Sequence, residues 1–326
     1  MTTYKEINGT AVQNYAGDLP GAVDGQLWYN STATNFKFQY AATAGVWSTG
    51  GSLNTARAYL GSAGTQTAAL AFGGDTGSLS ALTESYNGSA WTEVNDLQTA
   101  RQLLAGTGTN TAALAFGGAV PGLSALTETW NGTNWTEVND LNTARYALAG
   151  AGTNTAALAF GGYVGAPAYW AAQTESYNGT NWTEVNDMNN ANEGRAGAGT
   201  NTAALAMGGS ETNTATESWN GTNWTAVTAM NIGATRAGSA GINTSALIFG
   251  GAPGIQSQAQ SWNGSSWTTI NSLATARTNL AGAGADNTSA LAFGGITPTA
   301  TAATEEFNAG VAVGAWSTGG DLNTAR

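Results

Sequence analysis

Short apolar and alternating runs return along this chain at intervals of 41–50 residues. One unit contains the apolar run AALAFGG (112–118), the alternating pair TETW (127–130) and WTEV (135–138), and the small-residue run YALAGAG (146–152). A short apolar run that ends in glycines indicates a buried strand, and two alternating runs around Asn-Gly indicate a hairpin. No segment has a helical period. Each unit therefore predicts four strands, a to d, with YALAGAG as strand a of the following unit.

Units of this length built from four strands predict an all-β fold of radially arranged sheets, a β-propeller. The spacing of the repeated residues resembles the kelch repeat over about residues 26–326, although the interval from Tyr to Trp is shorter than is usual there. One unit shows the kelch order with Glu84, Tyr86, Trp91, Leu97, Arg101, Phe116, Gly117 and Gly118. The resemblance implies blades of four strands, and it implies little about function because one fold hosts many activities.

The repeat count predicts seven blades, the last assembled from both ends of the chain. Six complete strand sets lie between residues 57 and 318, and two fragments remain. LWY (27–29) and residues 36–50 read as strands b, c and d, and DLNTAR (321–326) reads as the segment leading into strand a. Closure from both ends would remove exposed sheet edges. The alternative is a ring of six blades with a spare N-terminal hairpin, and residues 1–24 are expected to form an arm or docking segment.

Length variation between units is confined to the connection between strands b and c. In a four-stranded antiparallel blade the b–c and d–a connections share one face, so one face is uniform and the other has unequal loops. Variable loops on a rigid scaffold are where binding sites are usually found. The loop of the third unit is rich in aromatic residues, which can stack on a sugar or anchor a protein partner. The candidate ligand-binding residues of this face are Tyr163, Tyr169, Trp170, Asp75 and Glu211.

Two residue types recur once per unit, and both predict structural roles. The Trp side chains are expected to fill the gaps between adjacent blades, and they are Trp47, Trp91, Trp135, Trp182, Trp224, Trp267 and Trp316. The Arg side chains, all assigned to one place in the unit, are expected to pair with a repeated Glu; they are Arg57, Arg101, Arg145, Arg195, Arg236, Arg277 and Arg326. A ring of guanidinium groups that binds an anion is the alternative for the arginines.

Composition excludes several classes of function. The chain has 326 residues with no Cys and no His, which removes disulfides, thiol catalysis and the usual general base. The formal net charge of −11 disfavours binding to nucleic acid or an anionic membrane. The N-terminus has no apolar core typical of a signal peptide, and no run of about 18 apolar residues is present. We therefore expect no enzyme activity, no cofactor, no metal site and no membrane insertion.

The N-terminal sequence MTTYKEINGTAVQNYAGDLPGAVDGQLWYNSTATNFK resembles the N-terminal regions of bacteriophage fibre proteins. The Gly-, Ala-, Thr- and Asn-rich units are similar to those of marine phage structural proteins. This resemblance implies a non-enzymatic virion protein that contacts a host glycan or surface protein through the variable b–c loops. Other virion proteins would contact the arm or the uniform face, and a homo-oligomer is compatible with that role. The alternative is a structural or assembly component of the virion that binds no receptor.

Overall fold

The structure is a computed structural model that describes residues 13–15, 27–31, 35–38, 45–210 and 213–309. Residues Gly45–Ala309 form one compact unit, and the remaining residues belong to a second. Each unit is described by itself. The predicted Trp316, Arg326 and Glu211 lie outside the described residues, as does most of the predicted N-terminal arm.

Six four-stranded antiparallel sheets make up the described part of the larger unit, and they form a β-propeller. Strands a to d follow each other in sequence in the first five blades. The first blade contains Gly61–Thr65, Ala68–Phe72, Thr83–Tyr86 and Trp91–Val94, and the second Ala105–Gly108, Ala113–Phe116, Thr127–Trp130 and Trp135–Val138. The third contains Ala149–Gly152, Ala157–Phe160, Thr174–Tyr177 and Trp182–Val185, and the fourth Ala196–Gly199, Ala204–Met207, Thr216–Trp219 and Trp224–Val227. The fifth contains Gly238–Ile242, Ser245–Phe249, Ala259–Trp262 and Trp267–Ile270.

The sixth blade closes the ring with a strand from the N-terminal side of the chain. Ala281–Asp286, Ser289–Phe293 and Thr304–Asn308 supply strands a to c, and Val46–Thr49 supplies strand d. Trp47 pairs with Phe307 in this sheet, in the register that Trp91 has with Tyr86 in the first blade. The described residues therefore form six blades, as the alternative interpretation has it. The seventh-blade assignment was wrong for residues 46–49, which take the place expected for the strand of Trp316.

The second unit contains a three-stranded sheet in its described residues. Gln13–Tyr15 pairs in parallel with Leu27–Asn30, which pairs antiparallel with Asn35–Phe38. The sequence placed the second and third of these strands in a seventh blade. In the structure they instead form a sheet with Gln13–Tyr15, a segment of the predicted arm, which pairs with Leu27–Asn30.

The repeated Trp side chains lie between blades. The indole N–H of strand d donates a hydrogen bond to the Thr hydroxyl that begins strand c of the preceding blade, as from Trp135 to Thr83 at 3.0 Å. The same pairs occur at Trp91, Trp182, Trp224 and Trp267, with lengths of 2.9–3.2 Å. The indole also packs on a Phe of the preceding blade, as Trp135 does on Phe72 with ring centroids 4.9 Å apart. Each buried indole therefore joins two sheets by both packing and a hydrogen bond.

The paired glycines allow the b–c loop to approach the next blade closely. Gly117 and Gly118 both have positive φ, at 66° and 107°. A Cβ atom on either would lie 2.8 Å from a carbonyl oxygen, that of Arg145 or that of Gln102. No side chain fits at that distance, so the pair fixes where each variable loop begins.

A closed ring of main-chain hydrogen bonds surrounds the channel mouth on the loop face. One residue in each lead-in to strand a donates its N–H to the carbonyl of the equivalent residue in the preceding blade. The six residues are Tyr59, Leu103, Ala147, Gly194, Arg236 and Asn279, and the bonds are 2.8–3.0 Å long. All six have φ between 50° and 67°. The bond from Tyr59 to Asn279 joins the first blade to the sixth, which closes the ring.

Candidate ligand-binding surface

The b–c loop of the third blade forms a hairpin of its own. Tyr163–Gly165 pairs antiparallel with Tyr169–Trp170. Two main-chain hydrogen bonds between Tyr163 and Tyr146, of 2.8 and 3.2 Å, attach it to the lead-in of the same blade. The loops of the first, second and sixth blades have only isolated bridges at this place, as between Asp75 and Leu79. The hairpin therefore gives the third loop a defined shape on the loop face.

Three tyrosines and a tryptophan are brought together by this hairpin. The rings of Tyr146 and Tyr163 are stacked, with centroids 4.8 Å apart and planes 18° apart. Tyr169 lies 6.3 Å from Tyr163 and is 55% exposed, whereas Tyr146, Tyr163 and Trp170 are half-buried. Tyr169 is therefore the ring of this group that presents most of its surface to solvent.

The aromatic side chains line a cavity of about 440 Å³ together with Ala168 and the carboxylate of Glu193. Glu193 Oε1 lies 3.5 Å from Nη2 of Arg236, whose side chain is 38% exposed. The hydroxyl of Ser210 lies 3.4 Å from the same carboxylate oxygen. The cavity thus combines apolar ring faces with the carboxylate of Glu193, and Arg236 contacts that carboxylate.

Tyr146 remains a hydrogen-bond donor in this setting. Burial raises the pKa of its phenol, the negative charge of Glu193 and the ring of Tyr163 raise it further, and Arg236 opposes them. The hydroxyl of Tyr146 therefore stays protonated near neutral pH. Its chemistry at this edge of the cavity is hydrogen bonding, beside a carboxylate that accepts and a guanidinium that donates.

The structure separates the residues proposed from the sequence. Tyr163, Tyr169 and Trp170 come together. Asp75 lies in the loop of the first blade, two blades away, where its Oδ1 accepts a 2.6 Å hydrogen bond from the amide of Gly77. That contact shapes the turn, and Asp75 does not join the cavity. Glu211 lies outside the described residues.

Three residues of the surface were missed because they lie in lead-ins rather than in loops. Tyr146 directly follows a repeated Arg, so the repeat hid it. Glu193 was not among the candidate residues. Arg236 was counted among the structural arginines, but in the structure it occupies the position in the main-chain ring that Ala147 holds in the third blade, with its side chain 38% exposed. The signal was Met230, which aligns with Leu141 and puts Ala234, not Arg236, at the repeated Arg position.

Arg195 also departs from the repeat. Met188 aligns with Leu141, so Asn192 holds the repeated Arg position and Arg195 lies three residues later. Its guanidinium nevertheless reaches Glu217, at 3.3 Å, with both side chains buried. The assignment of all seven arginines to one place in the unit was therefore wrong for Arg195 and Arg236.

The other described arginines are buried against carboxylates, out of reach of a ligand. Arg57 illustrates the arrangement. Its Nη2 lies 3.0 Å from Glu84 Oε1, and Nη1 donates to the carbonyls of Gly73 and Leu82. Glu84 Oε2 accepts the amide of Asn54 at 2.7 Å, so the pair ties strands b and c to the lead-in. Burial lowers the pKa of these guanidinium groups, and the paired carboxylate opposes that shift. The same ion pair, with a distance of 3.0 Å, occurs at Arg101–Glu128, Arg145–Glu175 and Arg277–Glu305.

The central channel itself presents main chain and small side chains. Inner strands such as Gly61–Thr65 and Ala105–Gly108 line a cavity of about 330 Å³. A Cβ at Gly106 would lie 2.5 Å from the carbonyl of Ser62, so the inner strands approach too closely for larger residues. Within the described residues no group of three or more acidic, Cys or His side chains could hold a metal ion. In that same part of the chain no helix could span a membrane.

Comparison with known proteins supports the fold. No protein-family model matches the chain, and no curated protein matches its sequence. A solved structure, that of YjhT, is similar with a TM-score of 0.64. The match covers 79% of this chain and 96% of that one, with 13% sequence identity. At that identity the likeness shows a shared β-propeller fold.

Proposed function

We propose that this protein is a non-enzymatic binding protein of a virion, which contacts a host glycan or surface protein through its loop face. The observation that carries the proposal is the cavity formed by Tyr146, Tyr163, Tyr169 and Trp170 beside Glu193. Its volume of about 440 Å³ is within the range of small-ligand pockets, and a terminal sugar residue fits that size.

The chemistry of the cavity favours a sugar. The C–H face of a pyranose packs on aromatic rings, and its hydroxyls pair with groups that both donate and accept hydrogen bonds. Tyr169 supplies exposed ring surface, and Tyr146, Glu193 and Arg236 supply polar groups at the edge. An apolar wall with a few polar groups is the usual composition of a pocket that orients one ligand.

The arrangement of carboxylates supports binding over turnover. Glycoside hydrolysis uses two carboxyl groups on opposite sides of the scissile bond. Among the described residues that line this cavity Glu193 is the one carboxylate, and Arg236 pairs with it. In the proposed role Glu193 therefore accepts hydrogen bonds from ligand hydroxyls.

The virion assignment depends on the resemblance of residues 1–37 to phage fibre proteins and of the blades to kelch-like units of phage structural proteins. A rigid closed ring without cysteines suits a particle exposed to the medium, and several copies on one particle would add avidity to a weak single site. In this proposal the N-terminal segment and the uniform face contact other virion proteins.

A glycan array and a host-cell binding assay with residues 1–326 test the site. Tyr169→Ala and Trp170→Ala should each weaken binding by about 30-fold, the effect of removing a central aromatic anchor. Ile255→Ala is the matched control, because Ile255 is a 41% exposed apolar residue of the fifth-blade loop. Equal binding by all three variants would place the ligand elsewhere on the protein.

The second candidate is a structural or assembly component of the virion that binds no receptor. The outer strands favour this role because their sequences are nearly the same from blade to blade, as in the three copies of WTEV. Repeated surfaces of this kind can contact symmetric partners in a virion. Labelling of the protein on intact particles separates the two roles. A distal position together with glycan binding supports the adhesin, and a shell position without binding supports the scaffold. Absence from particles contradicts both.

A further inference from the structure

Two segments of this chain are nearly the same sequence, and one of them forms the closing strand of the propeller. Residues 45–57 read GVWSTGGSLNTAR and residues 314–326 read GAWSTGGDLNTAR. They are identical at eleven of thirteen positions, the exceptions being Val46 with Ala315 and Ser52 with Asp321. We define the closing slot as the position that residues 45–57 occupy between the sixth and first blades.

The closing slot recognises its occupant through residues that both segments share. Trp47 packs on Phe249 and Phe307 with ring centroids 4.9 and 5.1 Å apart. Its indole N–H donates to the carbonyl of Asn271 at 3.0 Å. Trp316 stands at the same place in the second segment.

The lead-in half of the slot is equally specific for the shared sequence. The amides of Gly50 and Leu53 donate 2.9 Å hydrogen bonds to the sixth blade, and Leu53 is 4% exposed. The amide of Asn54 and the guanidinium of Arg57 both bind Glu84 of the first blade. All four residues have identical counterparts, Gly319, Leu322, Asn323 and Arg326.

The two differences do not oppose exchange. Val46 is 56% exposed, so alanine in its place removes little packing. Ser52 is exposed, and three other segments of the repeat have Asp at this point, namely Asp96, Asp140 and Asp187. Asp96 there accepts a 2.9 Å hydrogen bond from the amide of Thr83, the residue equivalent to Thr304 of the sixth blade. An Asp in place of Ser52 is therefore compatible with the closing slot.

Both segments are tethered next to the slot. Residues 45–57 continue directly into the first blade at Ala58. Eight residues separate Phe307 from Trp316, compared with four between Tyr86 and Trp91, which is enough for a hairpin onto strand c. Closing so short a loop costs little chain entropy. Each segment therefore competes for the closing slot at a high effective concentration.

We propose that residues 314–326 are a second occupant of the closing slot and exchange with residues 45–57 of the same chain. Exchange releases the N-terminal segment from the ring while the sixth blade keeps a Trp strand. The blade therefore stays complete in both arrangements, and the connection to the first blade is what opens.

Engineered disulfides report the occupant, and the chain has no cysteines to interfere. Val46 and Asn308 are exposed register partners across the closing strand, at a spacing suited to a disulfide. Ala315 is the counterpart of Val46. In the triple variant Val46→Cys, Ala315→Cys, Asn308→Cys, peptide mapping of the oxidised monomer should find both the 46–308 and the 308–315 disulfides.

Two tryptophan variants distinguish slot binding from random closure of the short loop. In the triple-cysteine background, Trp316→Ala should lower the ratio of the 308–315 to the 46–308 disulfide by roughly tenfold, and Trp47→Ala should raise it by a similar factor, because a buried Trp dominates the contacts of either occupant. A 308–315 disulfide that is absent, or that is insensitive to both Trp substitutions, overturns the proposal. A 308–315 disulfide that joins two molecules also overturns it, in favour of exchange between copies.

Discussion

The buried Arg–Glu pairs allow a sharp prediction, because one blade has lost both partners together. In the fifth blade Ala234 stands at the Arg position and Gln260 at the Glu position. Gln260 Oε1 accepts the amide of Asn231 at 2.9 Å, and its Nε2 donates to the carbonyl of Ile232 at 2.8 Å. The lead-in is therefore held without any charge.

The test replaces the Arg–Glu pair of the second blade with the Ala and Gln found in the fifth, one residue at a time. Glu128→Gln leaves the guanidinium of Arg101, fully buried, without its carboxylate. At a separation of 3.0 Å and an effective dielectric constant of about 20, the lost attraction is about 5 kcal/mol. Breaking a buried pair from one side costs about 3–5 kcal/mol in comparable cases, so we expect a destabilisation of that size.

The double variant Arg101→Ala, Glu128→Gln should be less destabilised than the two single variants together, by at least about 2 kcal/mol. Removing Arg101 takes one donor from the carbonyl of Gly117 and one from that of Leu126, which keeps the amide of Gly117, so recovery is incomplete. The reverse change is the matched control. Gln260→Glu in the fifth blade buries a carboxylate beside Ala234 and should destabilise, and Ala234→Arg in the same chain should restore stability.

Thermal unfolding by calorimetry measures these effects. For a domain of this size 1 kcal/mol corresponds to about 2–4 °C, so Glu128→Gln should lower Tm by roughly 10 °C. The double variant should melt well above the value expected from adding the single changes. Additive changes, or a Glu128→Gln variant within about 2 °C of the parent, would refute the view that charge pairing holds the lead-in.

Two further predictions concern stability. Burial and a 2.6 Å hydrogen bond to Glu306 raise the pKa of Tyr86 to about 12. As the pH rises, the unfolded chain loses the Tyr86 proton before the folded protein does, so the free energy of unfolding falls between pH 10 and 12. Tyr86→Phe should therefore make Tm fall less steeply over that range. If the variant and the parent show the same fall in Tm, the prediction is wrong. Ala147→Gly should change the free energy of unfolding very little, because φ at this position is 50°, which glycine adopts more easily than alanine. Ala151→Gly in strand a should lower it by about 1 kcal/mol. Chemical denaturation measures both values, and equal losses would show that the backbone of the main-chain ring is not strained.

Local sequence pattern predicted the blades well because each strand is specified by its own residues. AALAFGG ends where two glycines must adopt positive φ, and the spacing from Tyr86 to Trp91 fixes a hairpin. The closing strand could not be predicted in the same way. Residues 45–57 and 314–326 are identical at eleven of thirteen positions, so sequence pattern alone did not distinguish which of them pairs with Thr304–Asn308.

Sequence reasoning found only some of the residues that form the candidate surface. Tyr163, Tyr169 and Trp170 stood out because the loop of the third unit is rich in aromatic residues. Arg236 was overlooked because it is an arginine, like the repeated residue, but lies two positions after the repeated Arg position. Its side chain is 38% exposed, whereas the repeated arginines are buried. A count of residue types is insensitive to such a shift, and an alignment anchored on Met230 would have detected it.

The departures from the repeat cluster at one part of the loop face, which argues that they serve one site. The third blade has the longest loop, the fourth has Glu193 in its lead-in, and the fifth has Arg236 at the ring position. The third and fourth blades line the same cavity with these residues, and the ion pair between Glu193 and Arg236 links the fourth blade to the fifth. The fifth blade has Arg236 two positions beyond Ala234, and Gln260 takes over the structural contact without needing a partner charge. This grouping in adjacent blades supports the binding surface that we propose on the third-blade loop.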